Sequence, residues 1–180
     1  MRKETMVAGF MLVGLLVSSA VWSGPFQDKD RAELAKAVVE SKVSLDEGLA
    51  ASTHEGKPIS AKFEIEEGKL QLSVYTAKAG KFFEVIVDNN TGKIAKAEAI
   101  TSGEDLTAAK AQSEAMAKAK QSLGATLAKV LKGNPGFRAV SVFPAFKDGH
   151  PVAEVTLVKG DQWKTVSEKL DWQPGAPVGS

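Results

Sequence analysis

Four acidic residues, Glu64, Glu66, Glu84 and Asp88, fall on the same side of alternating runs, and they are the residues best placed to hold a hard cation. Calcium or a lanthanide takes six or more oxygens. Carboxylates on neighbouring strands, about 4.8 Å apart, can supply part of such a shell. The same alternation puts Tyr75, Phe82 and Ile86 on that side, where aromatics facing solvent would mark an interface. Two readings therefore compete. One is a cation site built from Glu64, Glu66, Glu84 and Asp88. The other is a partner-binding face of Glu64, Tyr75, Phe82, Glu84, Ile86 and Asp88. A solvated face with Lys62 and Lys81 nearby is the plain alternative to the cation site, and cover of Tyr75, Phe82 and Ile86 by the second repeat is the alternative to the partner face.

Other chemistry is sparsely represented. The histidines are His54 and His150, one near a helix end and one in a turn, and the chain has no cysteine. A zinc site would need carboxylates to converge on that pair. No Gly-x-Ser-x-Gly elbow frames a serine nucleophile. Asp88-Asn89-Asn90-Thr91-Gly92 starts like an EF-hand loop, but its glycine comes fifth and Ala99 stands twelfth, where a bidentate glutamate is needed. It reads as a turn, since Asn and Asp tolerate positive φ. No catalytic set and no cofactor is implied. With 23 basic and 22 acidic residues, the balance favours no nucleic-acid partner.

The elements that position these residues are strands. From Ala61 to Gly92, three alternating runs are separated by Glu66-Glu67-Gly68-Lys69 and Lys78-Ala79-Gly80-Lys81. Ala61, Phe63 and Ile65, then Leu70, Leu72 and Val74, then Phe83, Val85 and Val87 make one apolar face of an antiparallel meander, covered on that side by helices. Lys93 to Ile100 adds a fourth strand. Ahead of the meander, Arg31 to Lys42 has helical periodicity, and Ser44 with Glu47 forms a capping box for a helix that stops near Gly56. Gly48 inside it costs about 1 kcal/mol relative to alanine, so packing must hold that helix. After Thr101-Ser102-Gly103, an Ala- and Lys-rich run from Leu106 to Lys132 is one long helix or two joined near Gly124. Its alanines give too thin an apolar stripe for a membrane surface, and its default is a solvated helix. Strands follow over Phe137 to Phe146, Val152 to Lys159 and Trp163 to Glu168.

The start of the chain carries its own signal. Arg2 and Lys3 precede an apolar run from Met6 to Val17, and Ser18, Ser19 and Ala20 follow. That pattern is a secretory signal peptide, cleaved after Ala20, too short to cross a bilayer that needs roughly 20 apolar residues. Its removal takes Arg2, Lys3 and Glu4, leaving 21 basic and 21 acidic residues in a periplasmic or secreted chain without a stable membrane anchor.

An internal repeat completes the organisation. Ser44-Leu45 aligns with Ser122-Leu123 and Ala61 with Ala139. After a shift of about three residues at the hairpin, Gly68 meets Gly149, Val74 meets Val155, Lys78 meets Lys159 and Phe83 meets Trp163. The fold class expected is α+β, two tandem units of helix packed on an antiparallel β-meander. The boundaries are a signal peptide over 1–20, a lead-in and N-terminal helix over 21–43, units over 44–100 and 101–171, and a tail over 172–180.

The helix ending near Gly56, with Phe83-Glu84-Val85-Ile86-Val87-Asp88 leading into Asn90-Thr91-Gly92-Lys93, resembles the PepSY domain. The resemblance covers Ser44 to Ile100, and more weakly Ser122 to Asp171. It implies a non-catalytic α+β domain, of the kind found in propeptides of thermolysin-type secreted metallopeptidases and as free exported bacterial proteins. Such a domain inhibits or regulates peptidases outside the cytoplasm by binding a protein or peptide partner in the cell envelope. Some small free-standing relatives are linked to metal ions, lanthanides included, which is the alternative function. The family has no catalytic residues to carry across.

Overall fold

Three tight turns set the strand spacing. Glu67-Gly68, Ala79-Gly80 and Asp148-Gly149 each have positive φ at both residues, the geometry of the type I′ hairpin, whose twist matches that of the strands it joins. Glycine takes the second position of each at no steric cost. The computed structural model describes residues 25–172; the expected signal peptide over 1–20 and the chain after Trp172 lie outside the described residues.

In chain order the elements are α1 (Pro25–Glu40), α2 (Leu45–Ala51) with a 3-10 turn Ser52–His54, β1 (Lys57–Glu66), β2 (Lys69–Lys78), β3 (Lys81–Val87) and β4 (Ile94–Ile100). Then come α3 (Gly103–Lys118), α4 (Leu123–Lys132), β5 (Arg138–Lys147), β6 (His150–Lys159) and β7 (Gln162–Lys169). The fold is α+β. The meanders do not form separate sheets. β1 and β5 pair antiparallel, Ala61 against Val142 and Lys62 against Ser141, making one seven-stranded sheet in the order β4-β3-β2-β1-β5-β6-β7.

Helix, helix and three strands occur in that order twice, and the correspondence differs in detail from the expected alignment. The helices recur 78 residues apart, but all three strand pairs recur 81 apart. The extra residues lie before β5, in the segment from Gly133 to Phe137, which replaces the short Glu55-Gly56 link. Irregularities at corresponding places, before Ser60 and before Ser141, follow the same register. Ala61 thus corresponds to Val142 rather than Ala139, and Trp163 to Phe82 rather than Phe83. One backbone clasp also recurs. Lys42 and Val43 N–H groups donate to the Asn89 carbonyl, as Lys120 and Gln121 donate to that of Leu170.

The expected cover on a single face is the main correction. Ala61, Phe63, Leu72, Val74, Val85 and Val87 share one face and are buried there. α2 lies on it, with Gly48 pressed on Leu72. α4 lies on the same face, where its Lys129 pairs with Glu168 of β7. The opposite face is covered too. α3 crosses it over β1, β2, β5 and β6, and the Ser60 hydroxyl donates to Gln112 Oε1 at 2.7 Å. α1 reaches that face, where the Arg31 guanidinium lies 5.2 Å from the Trp163 ring centre. Ala108, Ala109 and Ala115 of α3 are buried. Their small side chains let the helix sit close to the sheet, so the helix expected to be solvated is a core element.

Two helix boundaries also move. Residues Pro25 to Asp30, expected as a lead-in, are the first turns of α1, with proline at the start where its missing N–H costs nothing. The Ala- and Lys-rich run breaks at Ala119 to Gln121, ahead of Gly124, because those backbone groups bond to Leu170 and Ser122 caps α4 by accepting from Ala125 N.

Candidate functional site

Strand pairing decides which of the acidic residues meet. Across β1, β2 and β3, Lys62 stands opposite Ser73, Ser60 opposite Tyr75, and Tyr75 opposite Glu84. Lys62 forms an ion pair with Glu64. The Ser73 hydroxyl donates to Glu64 Oε1 at 3.1 Å and accepts from Gln71 Nε2 at 3.0 Å. Glu84 borders the same hydroxyl, which has one proton to give. Burial, reinforced by the nearby charges of Glu64 and Asp105, pushes the Glu84 carboxyl up, against the opposing effects of Ser73 and Lys62.

Tyr75 ties this cluster to the helix above it. Its hydroxyl is hydrogen-bonded to Asp105 in the first turn of α3, and burial, followed by the Glu84 charge, holds it protonated well above the usual tyrosine range. Asp105 also complements the positive end of the helix dipole. The arrangement is a polar latch between α3 and the sheet.

This placement corrects the expected binding face. Tyr75 is 1% exposed and cannot touch a partner. Phe82 packs against the core from the sheet side, and Ile86 is half-buried. Glu64, Tyr75 and Glu84 do come together, but Glu66 lies at the β1–β2 hairpin and Asp88 at the far end of β3. Asp88 Oδ1 accepts from the N–H groups of Asn90 and Thr91 and from the Thr91 hydroxyl, at 3.1, 2.7 and 2.8 Å. Those bonds hold its carboxyl below the usual range. It builds the Asp88–Gly92 turn, as the turn reading of that loop anticipates. Among the described residues, no three of His, Asp and Glu converge as a set able to hold a metal ion.

The exposed aromatic surface lies elsewhere. Phe146 and Trp172 are 44% and 45% exposed. Phe146, next to last in β5, stands opposite Pro151, whose carbonyl accepts from Leu170 N, so Phe146 and the residues leading to Trp172 lie at one end of β5, β6 and β7. Each is capped by a cation: Lys118 Nζ lies 5.0 Å from the Phe146 centroid and Lys129 Nζ 4.8 Å from that of Trp172. The Trp172 carbonyl accepts from Gln121 Nε2 at 2.7 Å, and His150 Nδ1 lies 2.7 Å from Asp171 Oδ2. Sequence reasoning passed over both aromatics. The available signal was position, since Phe146 directly precedes the Lys147–His150 turn and Trp172 follows the last strand.

A shallow cleft between α2 and β5, lined by Ser44, Leu45, Asp46, Leu131, Phe137 and Arg138, has a volume of about 140 Å³. Small-molecule sites typically measure about 300–1,000 Å³. Among the described residues no helix is long and apolar enough to cross a membrane.

No protein-family model matches the chain, and no curated protein does. One solved structure, described as a "putative lipoprotein" from Clostridium difficile 630, is similar at a TM-score of 0.41 and 10% identity, covering 73% of this chain and 88% of that one.

Proposed function

We propose that this chain is an exported, non-catalytic binding or regulatory module of the cell envelope that docks a protein or peptide partner. The observation that carries the reading is the corner where Phe146 and Trp172 stand exposed under Lys118 and Lys129. Aromatic rings with an apolar body and neighbouring cations are the residue types enriched where interfaces concentrate their energy. The basic n-region and apolar run at the start of the sequence support export. The PepSY-like motif from Phe83 to Lys93 gives the first version to test, a modulator of secreted metallopeptidases.

The test is titration of the protein into a thermolysin-type metallopeptidase while substrate cleavage is followed. A rate that falls at micromolar protein, and recovers with Phe146→Asp plus Trp172→Ala, supports the peptidase version. Rates unchanged at micromolar excess reject it. The broader reading is tested by placing a photo-crosslinking residue at 146 or 172 in cells. Adducts to one envelope protein from these positions, and none from a control at exposed Lys36, support docking at this corner. Equal labelling from all three positions rejects it.

A further inference from the structure

β4 forms one edge of the sheet, and Ala95 to Ala99 are all exposed. Its sequence, Ile94-Ala95-Lys96-Ala97-Glu98-Ala99-Ile100, is its own antiparallel complement. Turned about Ala97, a second copy places Lys96 opposite Glu98, Glu98 opposite Lys96 and Ala97 against itself. Lys96 and Glu98 share a face, lie 2.8 Å apart and are each about half exposed, at 51% and 49%. They are available to a partner strand.

The charges also select the register. Centring the pair on residue 96 puts lysine against lysine, and centring it on 98 puts glutamate against glutamate. Both are unfavourable where like charges stand directly opposite. Only the Ala97-centred pairing makes both cross-strand pairs attractive while keeping each side chain on its own face. The inner side of β4 adds a second reason. Glu98 stands opposite Glu84 across the β3–β4 pair, so two carboxyl side chains already face each other there. A lysine from a second copy would bring opposite charge to the free side of Glu98. Lysine on an edge strand normally deters strand addition; here the glutamate two residues on makes it a recognition element for the same sequence.

We infer that β4 is a self-association edge, and that two copies of this chain pair antiparallel about Ala97 to continue the sheet across a two-fold axis. The interface is isologous, each copy offering the same strand. The irregular pairing between Lys96 and Ile94 opposite β3 limits the regular ladder, so Lys96, Ala97 and Glu98 carry it. An interface of this size falls well short of the roughly 1,600 Å² of a standard stable complex. The dimer is therefore weak and forms only at high protein concentration. The opposite edge, β7, also spaces Lys164 and Glu168 evenly about Val166, but there Lys164 contacts Asn134 and Phe137 and Glu168 pairs with Lys129. The β4 interface is independent of the Phe146–Trp172 corner, which lies in the β5-β6-β7 half of the sheet.

Because the chain has no cysteine, a single introduced thiol reports directly on the pairing. Ala97→Cys places two thiols on the two-fold axis, within the Cα separation a disulfide bridges. Under mild oxidation at about 100 μM it is expected to give several-fold more disulfide-linked dimer than Val166→Cys on β7. Adding Lys96→Glu, which sets glutamate against glutamate, should suppress that dimer, and adding Glu98→Lys as well should restore it, since the swapped strand is again its own complement. Sedimentation of the cysteine-free variants should follow the same order, with circular dichroism confirming that each is folded. Equal cross-linking at 97 and 166, or indifference to the charge reversal, overturns the proposal, as does a reversal variant that the swap does not rescue.

Discussion

Replacing Gly48 with alanine sets two effects of known size against each other. In an unconstrained helix, glycine to alanine gains about 1 kcal/mol. In α2, however, a Cβ at this position would lie 2.5 Å from Leu72 Cδ2 and 3.1 Å from its Cγ. Leu72 is fully buried, so its side chain has no free volume into which it can turn. Overpacking of this kind costs about 1–3 kcal/mol. The net expectation is a loss of about 1 kcal/mol. For a chain of this length that corresponds to a fall in Tm of roughly 2–4 °C. Gly124→Ala is the control of opposite sign, because a Cβ there meets nothing within 4 Å and α4 should gain up to about 1 kcal/mol. The corresponding positions in the second half show the trade in nature. Thr126, 78 residues on, is fully buried where Gly48 stands, and Ala153, 81 residues on, takes the place of Leu72.

Urea denaturation followed by circular dichroism measures all of these. Leu72→Ala alone should cost about 2–5 kcal/mol, and in that background Gly48→Ala should change from a loss to a gain, because its methyl enters the space the leucine vacates. The coupling between the two sites should be on the order of 2 kcal/mol. A Gly48→Ala protein more stable than the parent would show that the contact with Leu72 does not constrain α2. Equal effects of Gly48→Ala with leucine or alanine at 72 would refute it as well.

Two further outcomes follow from the polar latch. Tyr75→Phe should lower stability by about 1–2 kcal/mol, because the Asp105 carboxylate loses a donor, and faster hydrogen exchange should appear in the first turn of α3; unchanged exchange there would place the hydroxyl outside the latch. Glu84→Gln should be more stable than the parent at neutral pH. A carboxyl whose folded pKa is raised has its stabilising share below its unfolded pKa and loses it as pH rises through the folded one. The gap between variant and parent should therefore close on acidification, and a gap of constant size across pH 4 to 8 would refute this account.

Much of the fold was legible in the chain. Gly68, Gly80 and Gly149 mark the hairpins, the alternation about Phe63, Leu72 and Val85 marks the buried face, and Ser44 with Glu47 marks the start of α2, where the Glu47 carboxylate accepts from Ser44 N at 2.7 Å. The candidate face was half legible. Alternation correctly put Glu64, Tyr75 and Glu84 on one side, but it could not show that α3 lies over them. The alanines of α3 carry too little hydrophobic contrast to mark a buried stripe, so close packing was read as solvent exposure.

By itself the sequence determined everything that depends on a few neighbouring residues: where strands turn, which side chains alternate, where a helix can be capped, and that β4 is its own complement. Whether β1 would join β5 into one sheet, on which face α3 would lie, and that Tyr75 would be sealed while Phe146 and Trp172 stayed in the open were decided by tertiary structure alone. Those outcomes depend on residues tens of positions apart, such as Ser60 with Gln112 and Asn89 with Val43. Local backbone preference carries no information about which distant surface will arrive to bury a given side chain.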